Sequence, residues 1–309
     1  MQRIIIACIL TLLVNAKANA GNMPTVFGIA HLATEVVSGE GSKEGFSVKS
    51  RSSRLGVRGK NTFKGNLTGI YRFEFQIDMA DDNNGDDFVK SRNMYAGITD
   101  KKLGTLLVGR HDSAMKKAIG IKIFSDTVAE MTTIMGKDVK LYNRANNTVY
   151  YQSPRLFCIQ LLASVSALEN GDSKNLFDIQ SIAITFKKNN IYAGLANEKA
   201  EAGQKGNRIT LGYKFSGHQV GAGYEFGKYA SGAYHKAFVI NGIAKLTDLY
   251  KIKATCGKRM AEKDETAYGI AAVRDLGGKS ELYLLYHRDT NDNTSVDEQA
   301  LSLGMKYVF

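Results

Sequence analysis

The end of the chain, residues 299–309, alternates strictly between apolar side chains and polar or small ones. One face of this segment carries Leu301, Leu303, Met305, Tyr307 and Phe309, and the other carries Ser302, Gly304, Lys306 and Val308. Successive side chains of a β-strand point to opposite faces, so the pattern predicts a strand that is apolar on one side only. An apolar face opposite a small or polar face, closed by an aromatic residue, is typical of a strand in a membrane β-barrel.

The same two-residue period recurs along the chain, in residues 67–78, 208–215, 219–226 and 250–254. Ile70 is the exception, because it falls on the polar face of its segment. A single alternating strand also fits a soluble β-sandwich, which remains an alternative fold. The repetition favours a barrel, because every strand of a barrel must alternate in this way.

Turn signals divide the chain into an even number of strands, roughly sixteen by this count. Short turns are expected near 61–66, 100–102, 153–155, 188–190, 216–217, 246–247 and 276–278. Longer polar loops are expected near 38–45, 80–87, 168–174, 200–206, 230–234, 257–264 and 290–297. The two kinds alternate, which predicts an all-β, transmembrane antiparallel barrel with short turns at one end and longer loops at the other.

The first twenty residues read as a cleaved signal peptide. Arg3 supplies the positive charge, residues 4–14 supply an apolar stretch, and Ala18 and Ala20 supply a small-residue cleavage pattern. Cleavage after Ala20 leaves residues 21–309 as a single transmembrane β-barrel domain. No later apolar run reaches the about 18 residues that a transmembrane helix needs. The remaining choices are a soluble exported fold and a closed barrel, because open sheet edges cannot be satisfied in lipid.

The composition argues against several other classes of protein. The formal net charge of +11 becomes +9 without Arg3 and Lys17, but the cations are scattered over alternating strands, so no nucleic-acid partner is expected. The five histidines form no pair at metal-ligand spacing, and no Gly-x-Ser-x-Gly motif is present, so neither a metal, a cofactor nor an enzyme activity is predicted. The mature chain keeps two cysteines, Cys158 and Cys256, which we expect to be unbridged.

One connection, residues 111–147, interrupts the regular succession of alternating strands and short connections. It has no clean two-residue period, and connections of this length are usually functional. It is partly apolar, at Met115, Ile119, Ile121, Ile123, Phe124, Val128, Met131, Ile134 and Met135. A segment with this composition is expected to pack against something, and the lumen of a wide barrel offers such a surface.

Four segments resemble the Gram-negative general porins, especially the neisserial and related proteobacterial branch. Residues 53–60 (SRLGVRGK) are similar to the second strand of that family. Residues 93–99 (NMYAGIT) and 103–110 (LGTLLVGR) are similar to the fourth and fifth strands, and 144–154 (RANNTVYYQSP) to the return from the constriction loop. The terminal strand matches as well, and the segments occur in the expected order over the whole mature chain.

The resemblance implies a sixteen-stranded barrel whose long third loop, here residues 111–147, folds into the lumen. Acidic residues on that loop would face basic residues on the wall and create a transverse field. By motif, Arg54 and Arg110 match basic wall positions, Arg58 is the next cation on the same face, and Arg72 is added from the alternation alone. The loop carboxylates expected in this role are Asp126, Glu130 and Asp138.

This chain departs from the family pattern at three positions. Ile29 stands where many relatives carry a cation, and Tyr150 and Tyr151 stand where relatives often have an arginine. These changes weaken the expected basic wall.

The resemblance also implies the partners. They are a homotrimer, outer-membrane lipid and lipopolysaccharide, the barrel-assembly machinery acting on Phe309, and small hydrophilic solutes and ions. The predicted function is an outer-membrane porin with modest anion preference, given the net charge. The alternatives are an outer-membrane barrel enzyme of the phospholipase or protease type and a barrel adhesin.

Overall fold

The computed structural model of the chain describes residues 23–39, 45–80, 88–120, 122–130, 134–136, 144–167, 176–200, 203–261, 264–291 and 296–309. The predicted signal peptide, residues 1–20, and the predicted loop carboxylate Asp138 lie outside the described residues. Within these ranges the chain forms seventeen strand segments in one antiparallel sheet, with one short helix.

The strands are β1 Thr25–Ser38, β2 Gly45–Ser50, β3 Arg54–Thr62, β4 Thr68–Ile77, β5 Val89–Asp100, β6 Gly104–Asp112, β7 Arg144–Gln152, β8 Ile159–Ser166, β9 Ile179–Lys188, β10 Ile191–Ala200, β11 Lys205–Phe215, β12 His218–Lys228, β13 Tyr234–Lys245, β14 Tyr250–Met260, β15 Glu265–Gly277, β16 Ser280–Asn291 and β17 Val296–Val308. The helix, α1, is Ala114–Lys117 and follows β6. No helix in the described ranges is long and apolar enough to cross a membrane.

Two of the strand segments are halves of one strand. Both β2 and β3 pair with β1, and residues 51–53 separate them. At this break Ser52 has a positive φ of 56°. The Ser53 hydroxyl bridges the interrupted ladder, because it accepts from the backbone N–H of His31 and donates to its carbonyl, both at 3.0 Å. The seventeen segments therefore make sixteen barrel strands, as predicted.

The sheet closes on itself through its first and last strands. When β2 and β3 are counted as one strand, each described strand pairs antiparallel with its neighbours in sequence, and β1 pairs with β17 from Ile29–Val308 to Ser38–Gln299. The backbones of Gly28 and Phe309 exchange hydrogen bonds of 2.9 and 3.1 Å. The start of β1 and the end of β17 lie at the short-turn end of the barrel, and the short turns and longer loops alternate as the sequence predicts.

The polarity of the wall is the reverse of that of a water-soluble protein. The predicted apolar faces are exposed, for example Leu211, Leu303 and Met305, whereas Glu225 and Ser302 on the opposite face are buried. The outer surface is therefore apolar and suits lipid, while the polar side chains point into the barrel. Cys256 lies exposed on the outer face, and both it and Cys158 are free thiols.

The described part of the long connection after β6 contacts the buried face of the wall. Ile123, Phe124 and Ala129 pack in one cluster with Val273 and Leu285 of β15 and β16. A second cluster joins Ile119, Ile134 and Met135 to Ala237, Val239 and Ala267. Most of the apolar residues singled out in the sequence therefore pack against strands, whereas Ile121 and Met131 lie outside the described residues.

The lipid-facing assignment predicts a depth-dependent cost of charge. Ile240 lies at the middle of β13 and is 61% exposed, and Leu246 lies in the following turn and is 62% exposed. We expect Ile240→Arg to lower the free energy of unfolding by about 2–4 kcal/mol and Leu246→Arg by about 0–1 kcal/mol, because the cost of a charge peaks at the bilayer midplane. Urea titration of both variants in lipid vesicles measures the difference. Equal costs would contradict a membrane-spanning outer face.

Candidate functional site

A cavity of about 780 Å³ lies inside the barrel, lined by β1, β3 to β7, β17 and the segment that follows β6. Its lining is strongly basic. The strands contribute Arg54, Arg58, Arg72, Arg92, Arg144 and Lys306. The long connection and the β15–β16 turn contribute Lys116, Lys117, Lys122 and Lys279. Against these ten cations, the described lining residues include four carboxylates, which are Glu74, Asp112, Asp126 and Glu130.

Glu74 on β4 is surrounded by three arginines. Arg72 donates to Glu74 Oε2 at 2.8 Å, and Arg92 donates to Glu74 Oε1 at 3.0 Å. The Arg54 Nε atom lies 3.7 Å from Glu74 Oε1. Because one carboxylate neutralises only one cation, this part of the wall keeps a positive excess even though its arginines are held in place.

Asp112, at the end of β6, organises the adjacent wall. Its Oδ1 atom lies 3.1 Å from Arg144 and 3.3 Å from Lys116, and its Oδ2 atom accepts from Asn93 Nδ2 at 3.1 Å. Arg144 also donates to Asn93 Oδ1 at 3.2 Å. The carboxylate therefore ties β5, β6, β7 and helix α1 together.

The segment after β6 is anchored first through its backbone. The N–H groups of Ala114 and Met115, in the first turn of α1, donate to the hydroxyls of Ser164 and Ser181 at 3.1 and 2.9 Å. These groups have no partner inside the helix, so the wall serine hydroxyls satisfy them. The Ala118 carbonyl, at the other end, accepts from Tyr192 Oη at 2.5 Å.

Glu225 of β12 holds a later part of the same segment. Its carboxylate accepts from the backbone N–H of Gly136 at 2.7 Å. Arg208 and His235 complete the buried cluster around that carboxylate. The contact fixes the described 134–136 stretch on the strands that lie across the barrel from the arginine-rich wall.

Two loop carboxylates face the arginines. Asp126, in a left-handed conformation with φ of 65°, accepts from Arg54 at 3.0 Å and its backbone N–H donates to Glu130 at 3.2 Å. Burial alone would raise the pKa of Asp126, but the combined effect of Arg54, Arg92 and Lys306 lowers it. Burial, reinforced by the charge of Asp126, raises the pKa of Glu130.

The structure brings five of the seven residues predicted for the constriction to the cavity: Arg54, Arg58, Arg72, Asp126 and Glu130. Asp138 is outside the described residues. Arg58 and Arg72 stack on the Phe27 ring, with their guanidinium carbons 5.2 and 4.3 Å from its centroid.

The placement of Arg110 on this wall needs correction, because Arg110 does not line the cavity. The two-residue period of β6 puts it on the same face as Leu106 and Val108, which are both exposed. It instead donates to Asn146 Oδ1 at 2.6 Å and to the carbonyl of Ser91 at 3.3 Å. The resemblance of the strand motif identified the position of Arg110 along the chain, but it did not identify whether the side chain points into the barrel or outward.

Arg92 was missed because a β-bulge changes its direction. On β4, Phe73 pairs with Met94 and Phe75 with Ser91, so Arg92 and Asn93 together oppose Glu74. A bulge of this kind lets two consecutive side chains point to one face, which simple alternation cannot predict. By contrast, Lys306 lies on the predicted polar face of β17, and Arg144 belongs to a segment quoted for the family resemblance, so both could have been named.

Phe309 lies on the outer face at the barrel seam. Its ring covers Gly28 and stacks near Tyr307, with 6.0 Å between ring centroids. A Cβ at residue 28 would overlap the Phe309 ring and approach the Arg54 carbonyl oxygen to 2.9 Å, which explains the glycine at this position. The three departures from the family pattern also have defined places: Ile29 lines the cavity, Tyr150 is buried, and the Tyr151 hydroxyl donates to the Leu103 carbonyl.

Comparisons with known proteins agree with this architecture. The model of the Gram-negative porin family matches residues 7–309. An anion-selective porin from Comamonas acidovorans is 16% identical, with 93% of this chain and 100% of that chain covered and a TM-score of 0.81. A search of curated proteins found no match.

Two further solved structures share the fold. OmpF from Salmonella typhi, in complex with daunomycin, is 12% identical over 94% of this chain and 99% of that chain, with a TM-score of 0.77. A trimer form of OmpT from Vibrio cholerae is 13% identical over 94% and 100% of the two chains, with a TM-score of 0.73. At these identities the likeness is one of fold.

The contact between the segment after β6 and the far wall can be tested by a disulfide. A Cβ at Gly269 of β15 would lie 2.7 Å from the Cβ of Ala129, so a small shift gives disulfide geometry. In a background with Cys158 and Cys256 replaced by serine, we expect the pair Ala129→Cys and Gly269→Cys to oxidise in most molecules. Non-reducing electrophoresis of the denatured protein measures it.

The matched control pairs Ala129→Cys with Ile270→Cys. Ile270 is the next residue of β15 and is exposed on the outer face, so this pair should remain reduced. Equal cross-linking of both pairs, or of neither, would contradict the described contact.

Proposed function

Because the chain belongs to the Gram-negative porin family, it is an outer-membrane channel for the passive diffusion of ions and small hydrophilic solutes, and we propose that the basic cavity is the narrowest part of its pore. In this proposal residues 111–147 form a constriction loop inside the lumen. The wall packing of the described residues 113–120, 122–130 and 134–136 supports this role, because it leaves the open space on the side of the arginines.

The observation that carries the proposal is the excess of ten cations over four carboxylates in the cavity lining. A fixed positive field at a narrow point attracts anions and repels cations, and it acts strongly because the wall beside it has a low dielectric constant. We therefore propose a modest anion preference. The structural neighbour from Comamonas acidovorans, which is described as anion-selective, is consistent with this proposal.

The arginines and the loop carboxylates have opposite effects on the anion preference. Arg54, Arg58, Arg72, Arg92 and Arg144 provide the wall that favours anions. Asp126 and Glu130 approach from the loop and reduce that preference, and Asp126 is held against the wall by its 3.0 Å ion pair with Arg54. The pore therefore has a transverse field that runs from the basic wall to the loop.

The two rival functions are less well supported. An outer-membrane enzyme needs a nucleophile and a base in contact, and an adhesin uses long external loops. Apart from the connection after β6, the connections at the loop end span at most 12 residues, and the family and the structural neighbours point to a channel. Conductance measurements separate these functions, because only the channel requires large ionic steps from the purified protein.

Reversal potential under a potassium chloride gradient tests the charge assignment. We expect an anion-directed potential for the native protein. We expect the chloride-to-potassium permeability ratio to be severalfold lower for Arg54→Gln with Arg92→Gln, because fewer arginines then balance the negative charge of Glu74. Asp126→Asn should shift the ratio in the opposite direction, since it removes a negative charge.

Arg110→Gln is the matched control, because it removes the same charge from the face that does not line the cavity. Its permeability ratio should stay close to the native value. A shift for Arg110→Gln as large as that of the double variant would assign selectivity to the overall charge and reject the basic wall.

We also propose that the barrel assembles as a homotrimer in contact with lipopolysaccharide. The described outer face is widely apolar, and a neighbour with the same fold is known in a trimer form. Light scattering of the purified protein in detergent should give about three times the monomer mass. A monomer mass under conditions that preserve the folded barrel would reject the trimer.

Phe309 is proposed as the residue that the barrel-assembly machinery recognises. Its exposed ring on the outer face of the closing strand supports this, because that face is accessible before the seam forms. The leader, residues 1–20, is proposed to be removed during export. The mass of the mature protein tests this cleavage directly.

A further inference from the structure

A second cavity, of about 400 Å³, lies at the short-turn end of the barrel. Three of its lining side chains are cationic, Arg58, Lys60 and Arg72, and no described lining residue carries a carboxylate. Arg58 and Arg72 also line the larger cavity, so the two spaces are adjacent along the pore. This composition distinguishes the smaller cavity from the larger one, where four carboxylates share the lining.

The two arginines are placed unusually close together. Arg58 and Arg72 are direct cross-strand partners in the β3–β4 ladder. Like charges that face each other across a sheet destabilise it, so their proximity costs folding free energy that other interactions of the protein must offset. Arg72 is partly compensated by Glu74, whereas Arg58 has no carboxylate partner among the described residues.

Phe27 supports both guanidinium groups from one side. The ring lies over Gly56, where an added Cβ would come within 2.5 Å of the ring carbon Cζ. Both guanidinium carbons lie over this ring, at 5.2 and 4.3 Å from its centroid. Contact with the negative face of an aromatic ring stabilises the cations and orients their planes, while the N–H groups at the edge of Arg58 remain available.

We propose that Arg58, Arg72 and Lys60 form a binding subsite for a doubly charged oxyanion, specifically the phosphate group of a small solute. A group with two negative charges can contact both arginines at once and relieve their mutual repulsion. Chloride or a monocarboxylate neutralises only one of them. Arginine is also suited to phosphate geometry, because its N–H donors match two oxygens of the same group.

The subsite rests on the proposed function, because it requires that solutes pass through the lumen. It refines that function from a general anion preference to transient binding of phosphate-bearing solutes at the short-turn end of the pore. A diffusing anion first attracted by the larger basic field would meet the smaller cavity on the same path. Binding there should be weak enough for release, because conduction requires that a bound ion can leave.

The test measures chloride current through single channels while inorganic phosphate is added at alkaline pH. We expect phosphate to reduce the chloride conductance in a saturable way, and acetate at equal concentration to have little effect. Arg58→Gln with Arg72→Gln should raise the half-blocking phosphate concentration by about tenfold or more, which corresponds to about 1.4 kcal/mol. If the double variant does not insert, Arg58→Gln alone should raise it severalfold.

The matched control is Lys117→Gln with Lys279→Gln. This variant also removes two cations from the larger cavity but leaves the smaller one intact. Its half-blocking concentration should stay within about twofold of the native value. An equal loss of block in both variants would overturn the subsite in favour of a diffuse basic field.

Two further arms identify the ligand and separate the hypotheses. Block by glycerol 3-phosphate as well as by inorganic phosphate would assign the site to phosphorylated solutes, and block by inorganic phosphate alone would restrict it to the free anion. Anion-selective conductance without any phosphate block would overturn the subsite and leave the proposed function intact. The absence of conductance from the folded native protein would reject the proposed function itself.

Discussion

Closure of the sheet is the constraint on which the rest of the structure depends. A strand in lipid has no water to satisfy its backbone, so each edge must find a neighbouring strand. Here the last edge is satisfied by β1 and β17, where Gly28 and Phe309 exchange backbone hydrogen bonds. The terminal aromatic residue can occupy this seam because residue 28 is a glycine. Closure then fixes which side of every strand meets lipid, and with it which residues are enclosed.

The enclosed side chains explain why so many charges can be buried in this protein. Arg208 and Glu225 are almost inaccessible to solvent and pair with each other, and Lys253 pairs with Glu281 at 2.7 Å. An unpaired charge at such a position would be costly, so the ion pairs keep the far wall nearly neutral. The positive excess is instead concentrated around the larger cavity, where water and solutes can compensate it.

Alternation in the sequence predicted the fold well because a barrel repeats one rule in every strand. Arg54, which the resemblance named, and Arg58 and Arg72 all lie in the cavity lining, and each follows that rule on its own strand. Alternation could not predict Arg92, because the bulge opposite Glu74 turns two consecutive residues inward. Arg110 is a different case: the resemblance identified its position along β6, but the strand period places it on the outer face, away from the predicted wall. Periodicity therefore identifies the face of a residue in a regular strand, but not that of a residue at a bulge.

The apolar content of the long connection has a consequence for charge selectivity. Clusters around Phe124 and Met135 attach the connection to β13, β15 and β16, opposite the arginine-rich strands. The space that remains is therefore bounded by basic wall on one side and by the loop carboxylate Asp126 on the other. A polar loop without these contacts could move freely and average out the field. Hydrophobic packing on one side of the barrel thus holds the loop carboxylate in place against the basic wall on the other, and in the proposed pore selectivity depends on residues that never touch a passing ion.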